Sequence, residues 1–361
     1  MKTLLFTLEY PPFYGGVANY YGNLVKYWPQ PGEIFVLDNS GNRLVKNWLL
    51  PKWLPAIRQL KKEIKKNKID HVVAGNILPL GTAAYFLSKR MNFKYSVILH
   101  GMDFAFACRT PRKRWLTRKI LKKAENVICA NSYTAKLVGN FLGSKDRIII
   151  VNPGIDNRIT HNVERVTQIK EGYNLKGKLV LLTVGRLVKR KGIDMVLACL
   201  PEVLKQTPNL VYAVIGDGPE EKNFKKLVAS LKLERNVLTI GNADDEERNA
   251  WLELSDIFIM PARKINDDFE GFGIVYLEAN LAGKPVIAGD SGGVRDAVVD
   301  GLNGLMVNPE NKEEITAAII KLAKDENLRE KLGRQGRERT MEGFSWKKQI
   351  EKIYNLINPA L

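Results

Sequence analysis

The chain has 361 residues, 45% hydrophobic and 26% charged, enough for two cores and ordinary for a soluble globular protein. Nothing approaches the roughly 18 consecutive apolar residues of a membrane span, and Glu9 and two prolines cut short the apolar opening of MKTLLFTLEYPP before a signal-peptide core forms. The scattered Cys108, Cys129 and Cys199 form neither a disulfide framework nor a metal spacing, so a reducing, cytoplasmic setting is the simple expectation. The net charge of +17 is unevenly placed: residues 1–160 hold 26 Lys+Arg against 9 Asp+Glu, and residues 161–361 hold 30 of each. The first half is therefore expected to meet something anionic.

In chain order, short β-rich runs alternate with amphipathic helical stretches, the pattern of parallel sheets wrapped by helices. The predicted strands of the first half are KTLLFTLE, GEIFVLDN, HVVAGN, KYSVILHG, NVICANS and RIIIVNPG. A polar connector with a short helix spans about 153–178. The second half continues with KLVLLTVGR, LVYAVIGDG, NVLTIGN, DIFIMPA, PVIAGD and GLMVN, then helices at 311–323 and 326–341 and a terminal FSWKKQIEKIYNLI. Several strands end in Gly, Asn or Asp, residues that line the crevice at the carboxyl edge of such a sheet. The fold class expected is α/β, with two facing Rossmann-like domains and an inter-domain cleft.

The strand ends carry the candidate chemistry. TVGRLVKRKG places Gly185, Arg186 and Lys191 after the first strand of the second half, where two cations and a helix start could neutralise a diphosphate. The competing reading is a solvated charge run, because Lys189 and Arg190 lie between them. EYPPFYGGVANY offers Gly15 and Gly16, which permit close backbone approach to a ligand but also suit any tight turn. VILHGMD ends a strand with His100, a candidate contact, and Asp103, which competes with a simple helix-capping role.

DDFEGFGIVYLEANLAG holds Glu270 and Glu278, eight residues apart. No histidine stands near for a metal site. If fully helical the pair would be about 12 Å apart, beyond glycosidase spacing. A holding role fits better, with a carboxylate at each end and the N–H groups of Phe272, Gly273 and Ile274 between them. A sugar nucleotide has that shape: hydroxyls at both ends and an anionic diphosphate in the middle. Gly241, Asn242, Ala243 and Arg263 are further candidates for base or sugar contact.

Taken together, Arg186 and Lys191, Glu270 and Glu278 with FG between, NPGID at 152–156, GDGPE at 216–220, SGGVRDAV at 291–298 and the terminal FSW segment resemble the family-4 retaining glycosyltransferases of the GT-B fold. Within that family, MPARKINDDFEGFGIVYLEANLAGKPVIAGDSGG is similar to the phosphatidylinositol-mannoside mannosyltransferases, which use GDP-mannose. The resemblance implies an acceptor-binding domain of residues 1–160 plus 345–361 and a nucleotide-sugar-binding domain of residues 165–344. It implies that Arg186 and Lys191 bind the donor diphosphate, Glu270 the donor-sugar hydroxyls and Glu278 the ribose. His100 would contact the transferred sugar, and the Gly15–Gly16 loop would lie against phosphate and acceptor. HGMD and SGGVRDAV depart from the histidine-glycine and glycine-glycine segments usual there.

The expected reaction is hexose transfer from a nucleotide-diphosphate sugar, GDP-mannose favoured, to a hydroxyl of a lipid-linked or glycan acceptor. Attack on the same face, assisted by the leaving phosphate, needs no metal and no cofactor beyond the donor. The alternatives are a transferase using UDP-glucose or a UDP-N-acetylhexosamine, or a non-transferring relative such as a sugar-nucleotide epimerase. An anionic membrane surface is the expected partner of the basic half, through NWLLPKWLPAIRQLKKEIKKNK (47–68) and RTPRKRWLTRKILKKAE (109–125). That makes a peripheral protein on the cytoplasmic face. The competing reading is that these are helices packing on their own sheet. No nucleic-acid-binding module accompanies the charge, so nucleic acid is not expected.

Overall fold

A computed structural model describes residues 1–13, 15–46, 51–156 and 162–359. The chain forms two compact units, Met1–Gly154 with Trp346–Leu361, and Ile155–Ser345. Each is built on a six-stranded sheet in which every pairing is parallel.

In the first unit the strands are β1 (Thr3–Phe6), β2 (Ile34–Leu37), β3 (His71–Ala74), β4 (Lys94–Leu99), β5 (Val127–Cys129) and β6 (Ile148–Ile150), in the order β2-β1-β3-β4-β5-β6. Side chains alternate across a strand, so Leu4 and Phe6 enter one core while Leu5 enters the other. That double burial is why these runs read as continuously apolar. Helices Leu54–Asn67 and Pro111–Lys123 turn Ala56, Leu60, Ile64, Ile120 and Leu121 inward, and Leu116 and Ala124 join the same core. The stripes on both basic segments therefore cover their own sheet. Trp48, Leu49 and Leu50 of the first segment lie outside the described residues.

The other face of this sheet is closed by the end of the chain. In the helix Trp346–Ile357, Trp346, Ile350, Ile353 and Ile357 recur at helical spacing and pack with Tyr20, Leu24 and Trp28. The Met1 ammonium bonds Glu33 Oε2 (3.2 Å) and Asn358 Oδ1 (2.9 Å), holding the two termini together.

In the second unit the strands are β7 (Leu179–Val184), β8 (Leu210–Ile215), β9 (Val237–Gly241), β10 (Ile257–Met260), β11 (Val286–Gly289) and β12 (Gly304–Val307), in the order β12-β11-β10-β7-β8-β9. All twelve predicted strand runs are strands, each trimmed by a residue or more at its ends. From β7 the chain steps outward through β8 and β9, then returns to lay β10 against the other side of β7. Helices leaving β7 and β10 therefore depart in opposite directions, and a crevice opens at the carboxyl ends of these two strands.

Among the described residues, no helix is long and apolar enough to cross a membrane.

Candidate functional site

The crevice of the second unit is floored by five strand ends tied to their neighbours. Gly185 N–H donates to Ile215 O (2.9 Å), Gly216 N–H to Gly241 O (2.8 Å), and Gly293 N–H to Glu270 O (2.9 Å). Two glycines are demanded by this packing. Gly192 has φ 74° and a Cβ there would stand 2.2 Å from Pro261 O; Gly292 has φ 59° and would place one 2.4 Å from Glu270 O.

The loop after β7 and the loop after β10 bring charged groups together. Lys191 Nζ donates to Glu270 Oε2 at 2.7 Å, and Arg190 Nη1 donates to the same oxygen at 2.5 Å. Arg190 Nε also lies 3.1 Å from Asp268 Oδ1. Paired bridges between Ile265 and Asp268 (N···O 2.8 and 3.0 Å) tighten the turn that presents these carboxylates. Glu270 and Lys191 are buried, at 8% and 9% exposure. Burial pushes the Glu270 carboxyl up, but Lys191 and Arg190 overcome it and hold the group below the ordinary carboxylate value. Arg190 is thus no part of a solvated run; it is half-buried and ion-paired, whereas Lys189 beside it is exposed.

Arg186 is exposed, with no side-chain partner among the described residues. Gly185 lies against Lys191, whose Cε and Nζ would be 3.7 and 3.8 Å from a Cβ there. Phe272 is buried and tilts against Phe344, with centroids 5.9 Å apart. Gly273 caps the helix Ile274–Leu281, and the backbone N–H groups of Phe272, Gly273 and Ile274 have no acceptor among the described residues. The Tyr276 hydroxyl donates to Met260 O (2.7 Å), which fixes that helix start at the end of β10.

Glu278 sits inside this helix while Glu270 precedes it, so the fully helical separation does not apply. Glu278 Oε1 faces Arg248 Nη2 at 3.8 Å. Burial raises the Glu278 carboxyl; Arg248 opposes that and Asp245 adds to it. Arg263 is buried and its Nη2 bonds Asp194 Oδ2 (2.6 Å), while its backbone N–H donates to Arg190 O (2.8 Å). Asn242 Nδ2 bonds Asp217 Oδ2 (2.6 Å), Gly241 ends β9, and Ala243 packs against the core.

In the first unit, Gly16 opens the helix Gly16–Lys26 and Gly15 caps it; nothing lies within 4 Å of a Cβ added at Gly16. At the end of β4, Tyr21 Oη gives its one proton to Gly75 O (2.7 Å) and lies 3.0 Å from His100 Nε2. His100 must therefore donate from Nε2, leaving Nδ1 as the acceptor nitrogen of the neutral ring. Burial lowers the His100 pKa to about 4, so the ring is neutral near pH 7. Asp103 Oδ1 accepts the N–H groups of His100 (3.1 Å) and Gly101 (2.9 Å), pinning the strand end, and burial raises its carboxyl to about 6 against those amides.

Beyond this turn an open apolar groove of about 810 Å³ is lined by Val45, Trp53, Leu78, Pro79, Phe106 and Leu116, with Lys52, Arg112 and Lys113 along it. Lys113 Nζ sits 3.8 Å over the Phe106 ring, and the Arg114 and Arg118 guanidinia lie over Phe141. Trp115 is 63% exposed on the same basic helix.

Arg190 and Asp268 stand beside Glu270 without being among the candidates read from the sequence. The available signal was complementary charge, RK in one strand-end loop and DDFE in another. Only strand order places those two loops side by side.

Comparison with known proteins agrees with this layout. The model described as glycosyl transferases group 1 matches residues 165–339, and that of glycosyltransferase family 4 matches residues 14–158. The chain is 28% identical over 375 residues, covering 98% of both proteins, to the GDP-mannose-dependent alpha-(1-6)-phosphatidylinositol monomannoside mannosyltransferase of Mycolicibacterium smegmatis. It is 30% identical over 338 residues to an uncharacterized glycosyltransferase of Methanocaldococcus jannaschii, covering 91% of this chain and 77% of that one. The crystal structure of Anabaena HepE in complex with UDP shares the fold, with TM-score 0.83 at 17% identity over 99% of this chain and 100% of that one. The chain belongs to the glycosyltransferases and has the GT-B fold, its first half matching the family 4 model and its second half the group 1 model.

Proposed function

We propose that the enzyme is a retaining hexosyltransferase that moves mannose from GDP-mannose to a hydroxyl of a lipid-linked or glycan acceptor. The observation that carries the donor half is the Lys191–Glu270 pair at the carboxyl edge of β7 and β10, with Arg186 exposed in the same loop as Lys191. A leaving diphosphate gains negative charge as the glycosidic bond breaks. Arg186, Lys191 and the N–H groups of Phe272, Gly273 and Ile274 are charges and dipoles suited to stabilise it. In this reading the protein's own cations do the work and no metal is required. Glu270 Oε1 holds a sugar hydroxyl, Glu278 takes the ribose, and the leaving phosphate assists attack on the same face. The preference for GDP-mannose is supported by likeness to the GDP-mannose-dependent mannosyltransferase of Mycolicibacterium smegmatis.

In the first unit, His100 is suited to accept a hydrogen bond from a hydroxyl of the transferred sugar through Nδ1. The apolar groove with basic residues along it fits an anionic lipid surface, the partner proposed here for the first unit. Such a protein would work from the cytoplasmic face of a membrane without spanning it.

A thermal-shift screen with GDP-, UDP- and ADP-sugars tests the donor, since a ligand that binds only the native state raises Tm. GDP-mannose should give the largest shift; a larger shift from a UDP-sugar would overturn the choice of donor. Flotation with anionic and neutral vesicles tests the surface, and equal recovery on both would remove the lipid proposal.

A further inference from the structure

Two cations meet one oxygen of Glu270. Oε2 receives both Lys191 Nζ and Arg190 Nη1, while Oε1 has no hydrogen-bond partner among the described residues. The two cations are tied down differently. Arg190 is fixed at both ends: its carbonyl accepts Arg263 N–H, and its guanidinium spans Glu270 and Asp268. Lys191 is a point charge on a flexible stem, and Glu270 is its only charged side-chain partner among the described residues. Its stem runs beside Gly185, one residue before the unpaired Arg186.

A carboxylate as buried as Glu270 resists losing its last cation. With Lys191 alone beside it, the ammonium would be trapped. We propose that Arg190 is a positioning residue that keeps Glu270 charged and oriented while Lys191 turns from it to the phosphate of an arriving nucleoside diphosphate. This rests on the donor site proposed above and adds to it a residue that itself touches no ligand. The exchange leaves Oε1 facing the same way before and after Lys191 moves.

The test is calorimetric titration of GDP and of UDP into the wild type, Arg190→Gln, Glu270→Gln and the double variant, with Arg190→Lys as a fifth protein. In the wild-type background Arg190→Gln should weaken nucleotide binding on the order of tenfold, because Glu270 then retains Lys191. In the Glu270→Gln background, where no carboxylate competes for the lysine, the same substitution should change affinity little. Arg190→Lys keeps a charge but loses the fork, so it should show a smaller version of this background dependence; it carries the comparison if Arg190→Gln folds poorly. Equal affinity for Arg190→Gln and wild type would overturn the inference. So would an equal penalty in both backgrounds, since that marks a direct phosphate contact or general damage. A wild type that binds neither nucleotide would instead remove the donor-site reading, and this inference with it.

Discussion

Lys191 Nζ meets Glu270 Oε2 at 2.7 Å across 79 residues of sequence because β7 and β10 are neighbours. The pair is buried and shares Arg190, so losing either member leaves opposite charge behind. Glu270→Ala leaves two cations facing a hole, and Lys191→Met leaves the carboxylate to Arg190 alone. Each should lower stability by roughly 2–4 kcal/mol, below the full penalty for an unpaired buried charge, because a partner or Asp268 remains. Denaturant unfolding of both variants checks this. A cost under about 0.5 kcal/mol would mean the pair is solvated in solution.

Arg186 makes the opposite case. Exposed and without a side-chain partner among the described residues, it gives the folded chain little. Arg186→Ala should lower kcat/KM by about 100-fold or more while shifting stability by no more than roughly 0.5 kcal/mol. A joint measurement of turnover and Tm separates this from a structural role, which would move both.

Turnover should survive EDTA unchanged, since the proposed mechanism stabilises the leaving group with side chains and backbone N–H groups. Loss of activity in EDTA, restored by one divalent ion, would require that part of the mechanism to be abandoned.

Gly192→Ala should be costly although it adds a single methyl group. The left-handed backbone and the Cβ 2.2 Å from Pro261 O act together, and roughly 2 kcal/mol or more should be lost. Gly283→Ala, where φ is 74° but nothing lies within 4 Å, isolates the backbone component and should cost less.

Acid should destabilise the first unit through its histidines. Burial lowers both His71 and His100 to about 4 from 6.5; Glu125 pulls His71 upward and Lys94 downward. The unfolded chain thus binds more protons than the folded one between those values, so stability falls as pH drops from about 6.5 to about 4. His71, fully enclosed and bonded to Ser96 Oγ at 2.9 Å, should alone account for on the order of 2–3 kcal/mol. Asp103 works against this. Its carboxyl is raised to about 6 from 3.8, so the folded state gains relative stability as pH falls through that window. Unfolding measured from pH 7 to 4 for the wild type and His71→Gln should show the variant with a visibly flatter slope.

Much of the architecture is legible in the residues. The strand cores LVLLTV and LVYAVI are apolar at nearly every position because both faces of each sheet are covered, and β-branched content marks them as strands. What local pattern cannot supply is which strand ends become neighbours. Arg190 looks like one charge in a basic run until the β7–β10 adjacency sets it beside Asp268 and Glu270. Arg263 and Asn242, read as ligand contacts, have protein partners in Asp194 and Asp217, also brought close only by the sheet. The stripe Leu116, Ile120 and Ala124 is compatible with a membrane face or a core face, and the fold turns it toward the core. Glycines at 192 and 292 are visible in the sequence, but not the carbonyls they avoid.

The return of the last helix to the first sheet has a consequence for biogenesis. Trp346, Ile350, Ile353 and Ile357 fill one side of the unit whose strands are synthesised first. On the ribosome that side stays open to water until residues 346–357 emerge, by which point the second unit already has its whole sequence. The amino-terminal unit should thus be the last to become protease-resistant, and a nonsense codon shortly before Trp346 should harm it more than the unit the codon interrupts.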